Sequence, residues 1–334
     1  MEAVVLVGGF GTRLRPLTYT RPKQMLPIVN RPLLERIIGY LGGYGVDRVV
    51  LAMGYRPDAI QRAYPTGRCA GVALHYAVES EPLDTAGAIR FAATQAGIDE
   101  RFLVLNGDVL TDLDLDQFLA FHEDRGAEAT IHLHPVDDPS RFGVVPTDDD
   151  GRVLAFVEKP APGEAPTNLI NAGTYVFEPS VLGRIPAGRA VSVERETFPA
   201  LVGAGTLYAQ SGSTYWIDVG TPSHYLQAQL DLIDGVWGEP VDGIHPDAQV
   251  HPSAVVRRSA IGAGAVVEAD ARIDRSVLLP AAIVRSRGVV EDSVLGEGAV
   301  VASDASVVGC TVIGDGETVE SGARLDGARV PVPS

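Results

Sequence analysis

Hydrophobic positions along the first 240 residues alternate between the period of buried strands and that of amphipathic helices. Ala3–Val7 is continuously apolar, as a strand covered on both faces is, and it runs straight into the glycines at Gly8 and Gly9. Pro32–Tyr44 has helical spacing, and Arg48–Met53 and Ala73–Ala77 read as further strands. Thr85 is placed to cap a helix that ends at Gly97, where glycine suits the left-handed residue closing a helix. Phe102–Leu105 is another buried strand, stopped by Asn106-Gly107-Asp108, and the helix Leu115–Arg125 and the strand Ala129–His134 follow. This alternation predicts an α/β domain with a parallel-rich sheet covered by helices on both faces. Ligands of such sheets bind beyond the carboxyl ends of the strands, where Gly8 and Asp108 fall.

Past Gly235–Gly243 (GVWGEPVDG), which reads as a linker, the period changes to six. Val289, Leu295, Val301, Val307, Ile313, Val319 and Leu325 stand six residues apart. Ile261, Val267, Ile273 and Leu279 keep that spacing, with slips near Val256 and Ile283. Turn-forming residues fill the gaps (GAGA, GEGA, SDAS, GDGE). Neither a helix nor a β-sandwich with alternating valines repeats strictly every six. A triangular coil does, because each side donates one aliphatic residue to a narrow axis. The stretch resembles the hexapeptide-repeat left-handed β-helix, and about 80 residues make roughly four to five coils. Composition marks the same boundary: all 21 aromatic residues lie at or before Trp237, and no Phe, Trp, Tyr, Met or Lys occurs from Ile244 on.

The 334 residues suffice for two domains, and 46% hydrophobic content supports a sizeable core. A net charge of −16 argues against sequence-independent nucleic-acid binding. The start, MEAVVLVGGFGTR, is neither a signal peptide nor a membrane span, and no later run is apolar enough to be one. Two cysteines, Cys69 and Cys310, cannot form a disulfide framework, so a soluble, cytoplasmic protein is expected. Of 27 basic residues only Lys23 and Lys159 are lysines, and Lys and Arg are not physically interchangeable.

Candidate chemistry begins at Gly8-Gly9-Phe10-Gly11-Thr12-Arg13-Leu14-Arg15-Pro16-Leu17-Thr18. Its glycines let backbone N–H groups approach an anion, and Arg13 adds a fixed positive charge. No Gly-Lys-Ser/Thr follows, so it is not a Walker A loop, and Leu14 stands where a dinucleotide fingerprint needs its third glycine. Nine residues after Arg13 begins PKQMLPIVNRP, residues 22–32. The two segments together resemble the signature of the sugar-1-phosphate nucleotidylyltransferases, also called NDP-sugar pyrophosphorylases. PLDTAG (82–87), LNGDVL (105–110), FGVV (142–145), VEKP (157–160), NAGTYVF (171–177), SVERETFPAL (192–201) and YWIDVGTP (215–222) continue the likeness in order. Within the family, GDV, SVERETFP and WIDVGTP are most similar to the mannose-1-phosphate guanylyltransferases. PKQMLPI is also similar to thymidylyltransferases acting on glucose 1-phosphate, which typically carry Gly-Asp-Asn where this chain has Gly107-Asp108-Val109. The resemblance implies a Rossmann-like nucleotidyltransferase sheet flanked by helices over residues 1–236, followed by the β-helix over 244–330.

It also implies the chemistry. A sugar-phosphate oxygen attacks the α-phosphorus of a nucleoside triphosphate and displaces pyrophosphate, so the protein must neutralise charge and align two anions. Asp108 and Asp218 would hold Mg²⁺, a hard ion that takes few carboxylates plus phosphate oxygens. By similarity Arg13 and Lys23 contact the triphosphate beside Gly8, Gly9, Gly11, Thr12 and Gly87, and Lys159 meets the sugar phosphate. Gly143, Glu158, Asn171 and Gly173 would meet sugar hydroxyls. Glu79 falls where a carboxylate could accept from the two adjacent donors of guanine, although a solvated surface glutamate reads as well. The family's commoner Pro-Leu-Gly-Thr is here Pro82-Leu83-Asp84-Thr85, which leaves Asp84 as an alternative helix cap.

Other constellations read as structure. Asp112, Asp114, Asp116 and Glu123 have calcium-loop spacing, but Gln117 replaces the needed glycine, so an acid-rich helix start is expected. His132 and His134 share a strand face with no third ligand and read as a partly exposed pair. Asp148-Asp149-Asp150-Gly151 is a hairpin turn. The expected enzyme uses GTP and mannose 1-phosphate to give GDP-mannose. The alternatives are a glucose-1-phosphate thymidylyl- or uridylyltransferase, a guanylyltransferase for a cyclitol phosphate, and a non-catalytic subunit that binds nucleotide sugar. An acyl-transferring β-helix is disfavoured, since its only histidines are His245 and His251 at the very start. Packing and homo-oligomerisation are the roles expected of the tail.

Overall fold

The structure, a computed structural model, describes residues 1–54, 57–212 and 214–333. The chain packs as two compact units, residues 1–9 with 35–216, and residues 10–34 with 217–334. Composition does not reveal this partition, because the early segment 10–34 packs with the late repeat.

The first unit is built on a ten-stranded mixed sheet. At its centre Phe102–Asn106, Glu2–Leu6, Arg48–Met53 and Val72–Val78 run parallel in that order. The middle of each of the three strands Glu2–Leu6, Arg48–Met53 and Phe102–Asn106 is apolar and inaccessible, from Ala3, Val4 and Val5 to Phe102, Leu103 and Val104. Leu169–Phe177 pairs antiparallel with Phe102–Asn106 and with Ala129–Pro135, so the sheet is the expected Rossmann-like core with a mixed order. The helix Asp84–Ala96 packs Ala86, Ile89, Ala92 and Ala93 into the same core as Val4, Val50 and Val104. It ends at Gly97, φ 68°, as expected.

Thr85 is not its cap. The helix starts one residue earlier, at Asp84, whose φ is +56°. Asp84 Oδ1 accepts from the Thr85 N–H (2.7 Å), while Thr85 Oγ1 accepts from the Val193 N–H (2.8 Å) and donates to Glu194 (3.0 Å). Asp114 does cap Leu115–Arg125, accepting from the Gln117 N–H, so the acid-rich stretch is a helix start. Asp148 Oδ1 accepts from the N–H groups of Asp150 and Arg152, which closes the expected hairpin turn.

In the second unit, residues from Gln249 on form three parallel five-stranded sheets, the walls of a left-handed β-helix. The axis is aliphatic throughout: Ile261, Val267, Ile273, Leu278, Val284, Val290, Leu295, Val301, Val307, Ile313 and Val319 are buried in one cluster. Each such side chain contributes about 1.5–3 kcal/mol through burial. Two expected axis residues are corrected, since Leu278 and Val290 point inward, not Leu279 and Val289. The reason is one five-residue side per turn in the early coils, where equivalent residues are 17 apart; 18 appears only later, between Glu297 and Asp315.

A buried polar column marks the short side. Ser276 and Ser293 N–H groups donate to the hydroxyls of Ser259 (3.0 Å) and Ser276 (3.1 Å), one coil back. The hydroxyls themselves donate to Arg257, Asp274 and Glu291 carbonyls. Thr311 continues the column, donating to the Val308 carbonyl and accepting from the Ala328 N–H. Before each of these residues the backbone turns left-handed, at Arg258, Arg275, Asp292 and Cys310. The linker is folded rather than loose: Val236 and Val241 N–H groups donate back to Asp231 and Leu232 carbonyls of the helix Pro222–Ile233.

Candidate active site

In the first unit the site residues gather at the carboxyl ends of neighbouring strands. Glu2–Leu6 pairs in register with Phe102–Asn106, Leu6 opposite Asn106. The chain leaves them through Gly8 and Gly9, φ +99°, and through Gly107 and Asp108. The Gly107 N–H donates to the Leu6 carbonyl (2.9 Å), and a Cβ there would stand 2.6 Å from that oxygen. Only glycine lets the turn cross the strand end so closely, which sets Asp108, half-buried, just past the carboxyl ends of the central strands.

The strand Leu169–Phe177 is interrupted between Asn171 and Tyr175 by a bulge, a device that re-aims side chains. Within it Gly173 has φ +77°, and a Cβ on it would meet Asn106 Nδ2 at 2.5 Å. Asn171 Oδ1 accepts from the Gly173 N–H (3.0 Å), and its Nδ2 donates to the Tyr175 hydroxyl (3.0 Å). Asn171 and Gly173 are thereby fixed beside the strand end that leads to Asp108. Gly143 lies opposite Glu158 in the sheet, and a Cβ on it would stand 3.2 Å from Glu158 Oε2. Lys159 Nζ is 3.1 Å from Glu158 Oε1. Lys159 adopts φ +48°, a conformation costing a non-glycine residue about 1–2 kcal/mol, and such strain clusters at functional sites.

Glu79 is half-buried rather than a solvated surface residue. Burial pushes its carboxyl above the usual range, offset in part by the Leu83 N–H that Oε2 accepts at 3.1 Å. Gly87 has a packing role here. Its N–H donates to the Val191 carbonyl (3.1 Å), and a Cβ would meet Leu83 at 2.9 Å.

The second unit carries the cationic loop. Gly11, φ +59°, opens the short turn Thr12–Leu14, and its carbonyl accepts from Thr18 Oγ1 (2.8 Å) and from the Leu14 N–H (3.0 Å). A Cβ on Gly11 would lie 3.0 Å from Thr18 Cγ2 and 3.5 Å from Lys23 Cβ, so the two motifs fold onto each other. Arg13 Nη2 stands 3.8 Å from Asp218 Oδ2. Behind them the helix Pro222–Ile233, capped by Thr221, holds the Pro27 carbonyl through Tyr225 (2.6 Å) and Gln229 (2.8 Å). Gln24, next to Lys23, is wholly buried with no hydrogen-bond partner for either amide atom among the described residues. Its sequence position gave no hint of that burial.

Asp218 sits in a cradle that a side chain at position 220 would fill: a Cβ on Gly220 would be 2.7 Å from Asp218 Oδ1 and 2.5 Å from Arg13 Nη2. Among the described residues no three His, Cys, Asp or Glu side chains are grouped to hold a metal. Asp108 in the first unit and Asp218 in the second each offer hard carboxylate oxygens, the donor type that Mg²⁺ takes.

The expectation of a partly exposed pair holds for His134, which stacks on Trp216 at 5.3 Å, and is corrected for His132, which is fully buried, edge-on to Phe118, with burial lowering its imidazole to about 4. Asp112 accepts from the Tyr215 N–H (2.7 Å), a loop anchor rather than a calcium ligand. No helix among the described residues is long and apolar enough to cross a membrane.

The family described as nucleotidyl transferase matches residues 2–235, and the GMPPB C-terminal domain matches residues 239–334. Mannose-1-phosphate guanylyltransferase of Mycobacterium tuberculosis (strain ATCC 25618 / H37Rv) is 40% identical over 330 residues, 98% of this chain and 79% of that protein. Mannose-1-phosphate guanyltransferase of Hypocrea jecorina is 37% identical over 350 residues, 99% of this chain and 95% of that one. Among solved structures, HddC from Yersinia pseudotuberculosis superposes with a TM-score of 0.60 at 32% identity, covering 68% of this chain and 97% of HddC. It has also been solved complexed with GMP-PN.

Proposed function

We propose, on the premise that this chain belongs to the nucleotidyl transferase family and is a nucleotidyltransferase, that it transfers a guanylyl group from GTP to mannose 1-phosphate. The products are GDP-mannose and pyrophosphate. What carries the reading is full-length likeness to mannose-1-phosphate guanylyltransferases in a chain that keeps Arg13, Lys23, Asp108, Lys159 and Asp218. The GMP-PN complex of HddC supports a guanine nucleotide.

The sugar-phosphate oxygen forms a bond to the α-phosphorus as the bond to the pyrophosphate oxygen breaks opposite it. Arg13 and Lys23 neutralise the triphosphate, and the N–H groups of the loop at Gly8, Gly9, Gly11 and Thr12 meet its oxygens. Lys159 exchanges its Glu158 partner for the sugar phosphate, a task suited to a point charge on a flexible stem. Glu158, Asn171, Gly143 and Gly173 orient the sugar hydroxyls. Glu79 accepts from the guanine edge with the oxygen that Leu83 leaves open. The family generally uses a divalent metal. We assign it as Mg²⁺ with Asp108 and Asp218 as its carboxylates, and when bound it supplies Lewis-acid neutralisation of phosphate oxygens. Both cysteines are free, which supports a cytoplasmic setting. The repeat domain is assigned a role in homo-oligomerisation, which a concentration-dependent mass checks.

Pyrophosphate release tests the reading, measured over GTP, dTTP, UTP, ATP and CTP against mannose, glucose, N-acetylglucosamine and cyclitol phosphates. The GTP and mannose 1-phosphate pair should be fastest. Preference for dTTP with glucose 1-phosphate, or no turnover in any combination, overturns it.

A further inference from the structure

The β-helix has a rule for one outward column. Ala260, Val277, Val294 and Val312 stand in register on successive coils, and all are small, aliphatic and buried. The next position in register is Arg329. A cation where the column calls for an aliphatic residue breaks the local pattern, and such breaks mark positions selected for something other than packing.

Arg329 reaches the phosphate loop. Its Nη1 donates to the carbonyl of Arg15 (2.7 Å), which closes the Thr12–Leu14 turn, and to that of Arg13 (3.2 Å) within it. Beside it Arg21 Nη2 donates to Asp315 (2.8 Å) and Glu297 (2.7 Å), and Thr20 Oγ1 donates to Asp315 (2.5 Å). Asp315 is itself tied to its coil, accepting from the Glu297 N–H at 2.8 Å. Gly314 keeps the approach close, since a Cβ there would stand 3.1 Å from Pro16 Cβ. The Arg13 side chain is 63% exposed, so burial does not place its guanidinium; the backbone beneath it does.

We propose that Arg329, helped by the Arg21–Asp315 pair, is a positioning residue for the triphosphate site, so that the terminal coils of the β-helix are a working part of nucleotide binding. This rests on reading the loop as the triphosphate contact. Loss of Arg329 frees two carbonyls and lets the Thr12–Leu14 turn drift from Asp218. The loss falls on the nucleotide side of the reaction and leaves the sugar-phosphate residues of the first unit alone.

Full-length Arg329→Ala, Arg329→Lys and Arg324→Ala proteins test it; Arg324 is an exposed residue of the same coil. Arg329→Ala should raise the KM for GTP about tenfold, with the KM for the sugar phosphate within about twofold of the parent. Arg329→Lys, which keeps a charged donor, should recover part of the loss, and Arg324→Ala should match the parent. Hydrogen exchange of peptides covering residues 10–20 should speed up in Arg329→Ala whichever nucleotide the enzyme uses, which separates this inference from the choice of GTP. An unchanged GTP KM with unchanged exchange overturns the proposal, and so does an equal rise in both KM values with a lowered melting temperature.

Discussion

Arg13 Nη2 and Asp218 Oδ2 stand 3.8 Å apart, the cation exposed and the carboxylate only 20% exposed. On the proposed reading this guanidinium has two partners in the course of a turnover, the acid at rest and the triphosphate when it arrives. Asp108→Asn and Asp218→Asn each remove a charge without changing shape, and each should lower kcat by about a hundredfold or more while the melting temperature holds. Retained turnover in both would sink the assignment of these acids. Gly220→Ala, whose Cβ would intrude on both groups, should act on the same side of the reaction by displacing Arg13.

The two lysines give a second prediction. Lys23 adjoins the Gly11 turn, and Lys159 is held in a left-handed backbone beside Glu158. Lys23→Arg and Lys159→Arg keep the charge but replace a compact ammonium by a planar fork. Steady-state rates should fall by about tenfold, near 1.4 kcal/mol, in each. Arg62→Lys, on an exposed helix face, should leave them unchanged.

Stability distinguishes the register of the coils. Val290→Ala removes two methyl groups from the closed axis, whereas Val289→Ala trims an outward side chain. Thermal melting should show a loss of about 1–3 kcal/mol for the first and under about 0.5 kcal/mol for the second. Ser276→Ala should cost about 1–3 kcal/mol, because it leaves the buried Ser293 N–H without its acceptor. Equal effects at 289 and 290 would refute the register.

Acid should weaken the first unit in two stages. His132 titrates near 4 in the folded protein because burial disfavours its charged form, against about 6.5 when unfolded. The unfolded chain therefore binds the extra proton first, and stability is lost as pH falls from about 6.5 towards 4. Glu128 is held down to about 2 by Arg184, so its contribution is present above about 4.5 and fades as pH falls further. Urea midpoints at pH 7 and pH 5 should differ in the parent, and His132→Gln should shrink the difference. An unchanged difference would exclude His132 as its source.

Local signals read true where local forces decide. Leu115–Arg125 and Arg48–Met53 match the sequence expectation to the residue, the helix because Asp114 caps one end and Gly126 closes the other. Thr85 was misplaced because its hydroxyl is engaged by Val193 and Glu194, more than a hundred residues away, and no local pattern carries that. The axis slipped at Leu278-Leu279 and Val289-Val290 because both are aliphatic doublets that satisfy a period of five or six equally well. The placing of Gly8 and Asp108 just past strand ends was legible from the apolar runs before them. The burial of Gln24 and the anchoring of the loop by Arg329 were not, since a polar side chain does not announce what will cover it.

The all-aliphatic axis has a practical corollary for anyone who follows unfolding optically. Every tyrosine and tryptophan lies at or before Trp237, so the coils emit no fluorescence and add no near-ultraviolet dichroism. A denaturation curve recorded by tryptophan emission follows the first unit through Trp216 and sees the coils only at second hand, through Trp237 in the unit that holds them. Far-ultraviolet dichroism or amide exchange is the probe that sees them.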